Sequence, residues 1–156
     1  MNSVMAELMA PGVHIATMSE DAVERVRDLE SVMMTLPQLE VTTEHVFHAG
    51  MYARTVRLPA DHVLTGVFIK IPTMVIVHGD AAVYTGEGTL ELTGYNVLAA
   101  SAGRKQVFVS RTDTHITMIF PTSAKSIEQV ESEFTDEVDL LLSRRSGKSL
   151  SLMSED

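Results

Sequence analysis

The spacing of apolar residues changes character twice along the chain. Residues 1–18 show no clear period, and Pro11-Gly12 marks a turn. Ala22, Val26, Leu29 and Met33 then recur at helical spacing, which predicts one apolar stripe on a helix over 19–35. Ser19 suits the N-cap, and Glu20 and Asp21 suit the positive end of the helix dipole. Leu36-Pro37 ends the helix, because the residue before a proline disfavours helical backbone angles.

From about Glu40 the pattern becomes short apolar runs cut by turn residues. The runs predict strands at Glu44–Phe47, Tyr52–Leu58, Val63–Lys70, Met74–Val77, Ala81–Thr85, Thr89–Leu92, Asn96–Ala100, Gln106–Val109 and His115–Phe120. Thr85-Gly86-Glu87-Gly88-Thr89 reads as a hairpin tip. Short strands without intervening helices point to a sandwich or closed barrel. After Pro121, Ile127, Val130, Phe134, Val138 and Leu141 return to helical spacing. That stripe predicts one helix, or two broken near Thr135, where Thr135-Asp136-Glu137 would cap the second. The chain thus divides into an N-terminal segment (1–40), a β-barrel (41–121), a helical segment (122–145) and a Ser-rich tail (146–156) expected to be mobile.

Composition narrows the function classes. The chain has 156 residues, 45% of them hydrophobic, enough for one domain with a core. It has no cysteine, which excludes thiolate chemistry, zinc–thiolate sites and disulfides. A formal net charge of −9 and no tryptophan argue against nucleic acid as a partner. No apolar run is long enough to span a bilayer, and Met1–Ala10 lacks the basic start of a signal peptide. The expected location is the cytoplasm, or a particle assembled there.

Three segments resemble the cupin barrel: Leu58-Pro59-Ala60-Asp61-His62, Val77-His78-Gly79-Asp80-Ala81 and Gly94-Tyr95-Asn96-Val97-Leu98. More narrowly, Gly50-Met51-Tyr52-Ala53-Arg54 and Ser101-Ala102-Gly103-Arg104-Lys105-Gln106 are similar to segments of cupin-like proteins from tailed bacteriophage genomes. The likeness covers roughly residues 36–145. It implies a mainly β, cupin-type jelly-roll barrel with an N-terminal helix and a C-terminal helix or helix pair, located in the cytoplasm of a bacterial host or in a virion. Cupin enzymes hold a metal with a His-x-His pair, a downstream Glu and a later His. With Asp61 at the motif's first glycine, those positions fall on Val67, Ile69, Thr73 and Gln106. Valine and isoleucine have no lone pair to offer and glutamine is a poor transition-metal ligand, so no metal and no cofactor is expected.

The six histidines offer no replacement. His14 and His62 read as surface residues. His45 and His48 are three apart, which places them on opposite faces of a strand. His78 and His115 each stand alone at strand ends, where either could face a barrel mouth. The most basic stretch of the barrel is Gly103-Arg104-Lys105-Gln106. It reads as an anion or polar-ligand contact, with Arg54, Lys70 and Tyr52 as neighbours, as a turn with solvated ends feeding a strand, or as a salt bridge to a neighbouring subunit. Glu128, Glu131, Glu133, Asp136, Glu137 and Asp139 read as a solvated helix face or a dock for a basic partner. The ten methionines, Met33, Met34, Met51, Met74 and Met118 among them, read as core filler.

The expectation is a non-enzymatic phage protein acting by assembly, as a homo-oligomer or a virion component alongside other phage structural proteins. Two alternatives stand beside it. One is a module that sequesters a small anionic ligand in the vacated barrel; the other is a metal-free isomerase or epimerase, which needs a histidine paired with a carboxylate inside the barrel.

Overall fold

A computed structural model describes residues 14–141 and 148–153. Eleven strands run in the order β1 (His14–Ile15), β2 (Thr42–His48), β3 (Met51–Leu58), β4 (Val63–Thr65), β5 (Thr73–His78), β6 (Ala81–Tyr84), β7 (Thr89–Leu92), β8 (Tyr95–Ala100), β9 (Val107–Ser110), β10 (Thr114–Pro121) and β11 (Lys148–Met153). They form a seven-stranded sheet, β1-β8-β5-β10-β3-β2-β11, facing a four-stranded sheet, β4-β9-β6-β7. Pairing is antiparallel except at the two ends of the larger sheet, where β1 joins β8 and β11 joins β2 in parallel. The fold is mainly β, a barrel of two facing sheets with a helix on either side of it in sequence.

Alternation along the strands makes the core. In β10, Thr114, Ile116, Met118 and Phe120 are buried while His115 is exposed. In β2, Thr43, His45 and Phe47 point inward and Val46 and His48 outward. Register aligns these inner positions into rows across the sheet. One row reads Leu98, Val75, Met118, Arg54 and His45, so it runs from apolar at β8 to polar at β2. One apolar cluster gathers around Val77, Val83, Leu98 and Phe108, and a second around Tyr52, Phe120, Val130 and Phe134.

Helix α1 (Glu20–Met33) is capped by Ser19, whose side chain accepts from the Ala22 amide. Its buried residues are Ala22, Val23 and Val26, which pack against Val107 on the outer face of the smaller sheet. Leu29, expected in the stripe, is 39% exposed. The helix is rolled toward Glu30, which receives Lys105 from β9's leading segment. Helix α2 (Ile127–Phe134) is capped by Ser126 and buries Val130, Glu131 and Phe134. The chain breaks after it, as the sequence allowed, but the second helix is one 3-10 turn (Val138–Leu140). Against their own barrel α1 buries Ala22, Val23 and Val26 and α2 buries Val130 and Phe134, while Leu29 and Val32 of α1 stay exposed.

Two other expectations change. The run Val63–Lys70 is a strand only to Thr65. Beyond it the Phe68 amide donates to the Glu137 side chain and the Lys70 amide to the Phe134 carbonyl, so the ladder is interrupted. Lys148–Met153, read as part of a mobile tail, is a strand on the edge of the larger sheet. The Pro11-Gly12 turn, residues 142–145 of the helical segment and residues 146–147 and 154–156 of the tail lie outside the described residues.

Candidate functional site

Between the two apolar clusters the barrel keeps a cavity of about 120 Å3. Its floor is the larger sheet, through Arg54, Val56, Val75, Ile116 and Met118. Its opposite wall is Leu64–Val67, Ile69, Arg104, Gln106 and Phe108, and Phe134, Leu140 and Leu141 stand at one side. The wall is aliphatic and aromatic over most of its area, with three long polar side chains set into it.

Arg104 is the largest of the fully buried side chains, 1% exposed. Its placement starts at Gly103, whose φ of +80° puts it in the left-handed region. A Cβ there would lie 2.9 Å from Thr17 Cγ2, so glycine also admits the segment before α1. Arg104 then bridges to Ile69, and the backbone alternates: Arg104, Gln106 and Phe108 face the cavity, Lys105 and Val107 face α1. The Arg104 guanidinium donates from Nε to Gln106 Oε1 (3.1 Å), from Nη1 to the Ser101 and Ile71 carbonyls (2.7 and 3.3 Å) and from Nη2 to Thr73 Oγ1 (2.7 Å). The last N–H meets Met118 Sδ at 3.9 Å. Every partner is neutral, and among the described residues no carboxylate pairs with Arg104. Burial alone pushes its pKa down to about 10. Gln106 spends its carbonyl on Arg104 and leaves its amide Nε2 buried without a partner.

Arg54 sits at the other end of the cavity under different terms. It donates to Glu131 Oε2 at 3.1 Å, and both side chains are under one-tenth exposed. Its Nη1 also reaches the Tyr52 hydroxyl at 3.4 Å, and that hydroxyl lies 2.7 Å from His45 Nδ1. Burial, with the Arg54 charge added, holds His45 down at about 4, so it is neutral at pH 7. The consistent arrangement has Tyr52 accepting from Arg54 and donating to His45 Nδ1, which fixes the imidazole proton on Nε2. Burial pushes the Tyr52 phenol up, against the pull of Arg54. The Arg54 guanidinium also lies 5.6 Å from the Phe134 ring centre.

The basic stretch is therefore neither a turn with solvated ends nor a single patch. Lys105, 0% exposed, reaches Glu30 (3.1 Å), the Gly66 carbonyl (2.9 Å) and Glu137 (3.7 Å) on the side away from the cavity. Burial pushes the Glu137 carboxyl up, but bonds from Arg27 and the Phe68 amide, with the Lys105 and Arg27 charges, bring it below its ordinary value. Lys70 is exposed, pairs with Asp136 at 2.6 Å and is not part of the cavity lining. Tyr52 is wholly buried but lines the network behind Arg54, not the cavity itself. Glu131 and Glu137 leave the solvated acidic face that the sequence suggested: both hold buried cations. His78 and His115 pair across β5 and β10 on the exposed outer face, so neither faces the barrel mouth. Met118 is core, whereas Met34, Met51 and Met74 are exposed.

The positions where a cupin metal would be held can be tested on this geometry. Val67, Ile69 and Gln106 do line the cavity, and Thr73 is bonded to Arg104. Among the described residues no His, Asp or Glu lines it, and no group of three such side chains is placed to hold a metal ion. The donor set does not fit a transition metal.

No protein-family model matches the chain, and no curated protein matches it. Solved structures do match it in shape. A cupin superfamily protein from Desulfitobacterium hafniense aligns over 59% of this chain and 88% of its own, with 12% identity and a TM-score of 0.43. A cupin-2 domain protein from Shewanella frigidimarina aligns over 60% and 91%, with 10% identity and a TM-score of 0.43. Salicylate 1,2-dioxygenase from Pseudoaminobacter salicylatoxidans aligns over 77% of this chain but 39% of its own, with 12% identity and a TM-score of 0.46. Among the described residues no helix is long and apolar enough to cross a membrane.

Proposed function

We propose that this chain is a binding module whose barrel cavity receives a small, mostly apolar molecule. The observation that carries this reading is the cavity itself: about 120 Å3, walled by Val56, Val67, Ile69, Val75, Ile116 and Phe108, with unspent donors at one end. Binding sites of this kind combine an apolar wall with a few placed polar groups. A metal-free isomerase needs a base at the cavity. His45 does not line it, and the nearby carboxylate, Glu131, is held by Arg54. Thermal-shift measurements on the full chain against a panel of small apolar acids, amides and alcohols test the proposal. A ligand at about a hundredfold its Kd adds about 2.7 kcal/mol of stability and raises Tm. A panel with no shift, together with an unchanged panel response in Val67→Trp, in which the cavity is filled, removes the reading.

Assembly is supported by a different surface. The outer face of the larger sheet carries an apolar row, Ala99, Met74, Ile119, Ala53, Val46 and Leu152, aligned by register across six strands. Met74 is 50% and Leu152 62% exposed, and Val97 beside them is 47% exposed. An uncovered apolar sheet face of this kind favours association with other copies. Light scattering with Met74→Lys tests it: a wild-type oligomer that becomes a monomer in the variant supports association, and a wild-type monomer ends it. A phage source and a place in a virion rest on the sequence segments alone.

A further inference from the structure

Two buried groups in the cavity are donors with nothing adequate to donate to. The Gln106 Oε1 atom accepts from Arg104 Nε, which fixes the amide and turns its NH2 toward the unpartnered side. Gln106 is 6% exposed, so that amide nitrogen has no bulk water in compensation. The Arg104 Nη2 group gives one N–H to Thr73 and the other only to a thioether sulfur at 3.9 Å. Sulfur is a weak acceptor, and a buried donor without a good acceptor is costly.

The charges agree with the donors. Of the two guanidinium groups that line the cavity among the described residues, Arg54 faces the Glu131 carboxylate and Arg104 faces neutral oxygens and sulfur. Arg54 and Glu131 cancel, and one positive charge is left over at the Arg104 end. A buried cation with neutral partners is destabilising, and a bound monoanion removes that cost. Apart from Gln106 and Thr65, whose hydroxyl donates to Glu30, the remainder of the lining is apolar and carries no second charge.

We propose that the ligand is a monocarboxylate on a small apolar body, its carboxylate seated between Arg104 Nη2 and Gln106 Nε2. This deepens the binding-module reading and rests on it. A carboxylate supplies acceptors to both donors and cancels the surplus charge. A primary amine brings donors and a like charge to an end already rich in both. A phosphate dianion brings a second charge that the aliphatic wall cannot match.

Isothermal titration of the full chain with hexanoate, hexanamide, hexylamine and inorganic phosphate tests the class. Hexanoate should bind about tenfold or more tightly than hexanamide, because a charge-assisted bond exceeds a neutral one by about 1.4 kcal/mol. Hexylamine and phosphate should give no binding heat. Arg104→Met should bring hexanoate down to the hexanamide level, and Gln106→Leu should weaken hexanoate by about fivefold to tenfold, the loss of one hydrogen bond. Circular dichroism melts show whether each variant folds; should Arg104→Met fail to fold, the wild-type ratio and Gln106→Leu decide alone. Equal affinity for hexanoate and hexanamide overturns the carboxylate and leaves the receptacle standing. Tighter hexylamine or phosphate binding overturns it likewise. No binding by any aliphatic probe removes both readings.

Discussion

Two arginines are buried in this barrel within one cavity, and they are treated in opposite ways. Arg54 meets a carboxylate, a phenol and, through that phenol, a neutral imidazole. Arg104 meets two carbonyls, an amide oxygen, a hydroxyl and a sulfur. The Arg54 end is closed, with charge balanced inside the protein. The Arg104 end has most of its hydrogen bonds and none of its charge balanced. A fold that needed only stability would have little reason to retain the second arrangement, since apolar residues of similar volume usually do as well or better. The contrast locates where the molecule has room for something from outside.

The largest effect tests the closed end. Glu131→Gln removes the carboxylate facing Arg54 and should cost about 3–5 kcal/mol in urea unfolding, the usual result of breaking one side of a buried pair. The double change Glu131→Leu with Arg54→Met should recover most of that, because no charge is then left buried. A cost for Glu131→Gln below that of Arg104→Met would erase the distinction between the two ends.

Next comes pH. His45 is held near 4 against an ordinary 6.5, so below 6.5 the unfolded chain takes up a proton that the folded chain refuses. Stability is present in full above about 6.5 and is lost as pH falls toward 4, by up to about 3 kcal/mol. His45→Gln retains an acceptor for Tyr52 and should flatten that part of the profile. An unchanged slope in the variant would mean that another group sets it.

Arg104→Met has a smaller effect on stability, under about 2 kcal/mol, because lost hydrogen bonds are offset by removal of an unbalanced charge. Urea unfolding measures it, and a loss as large as that from Glu131→Gln would show that Arg104 is structural. The smallest effect is a control. Lys70→Met, at an exposed pair with Asp136, should leave hexanoate affinity unchanged, and a change would place the ligand outside the cavity.

Much of the fold was legible because turn residues punctuate it: Pro59-Ala60-Asp61, His78-Gly79-Asp80 and Thr93-Gly94 stand at real strand ends. That His45 and His48 lie on opposite faces followed from the two-residue period; which of them is buried did not. The burial of Arg104 and Lys105 did not. Charged residues normally read as exposed, and here the segment is covered on both faces, by the cavity wall on one side and by α1 on the other. Glu131 and Glu137 were hidden for the same reason: helix periodicity marks an acidic face, but a buried cation beneath it comes from β3 or from the segment before β9. The signal for β11 was present in the alternation Leu150-Ser151-Leu152, yet its parallel partner β2 lies about a hundred residues earlier. Pairing at that separation has no local signature, and serine-rich composition reads as tail.

The most direct measurement is a crystal structure of the full chain grown with saturating hexanoate. The carboxylate should lie within hydrogen-bonding distance of both Arg104 Nη2 and Gln106 Nε2, with its alkyl chain against Val67 and Ile69. Hexanoate bound elsewhere, or a cavity without it at saturation, would contradict the claim that the uncompensated arginine marks a binding site.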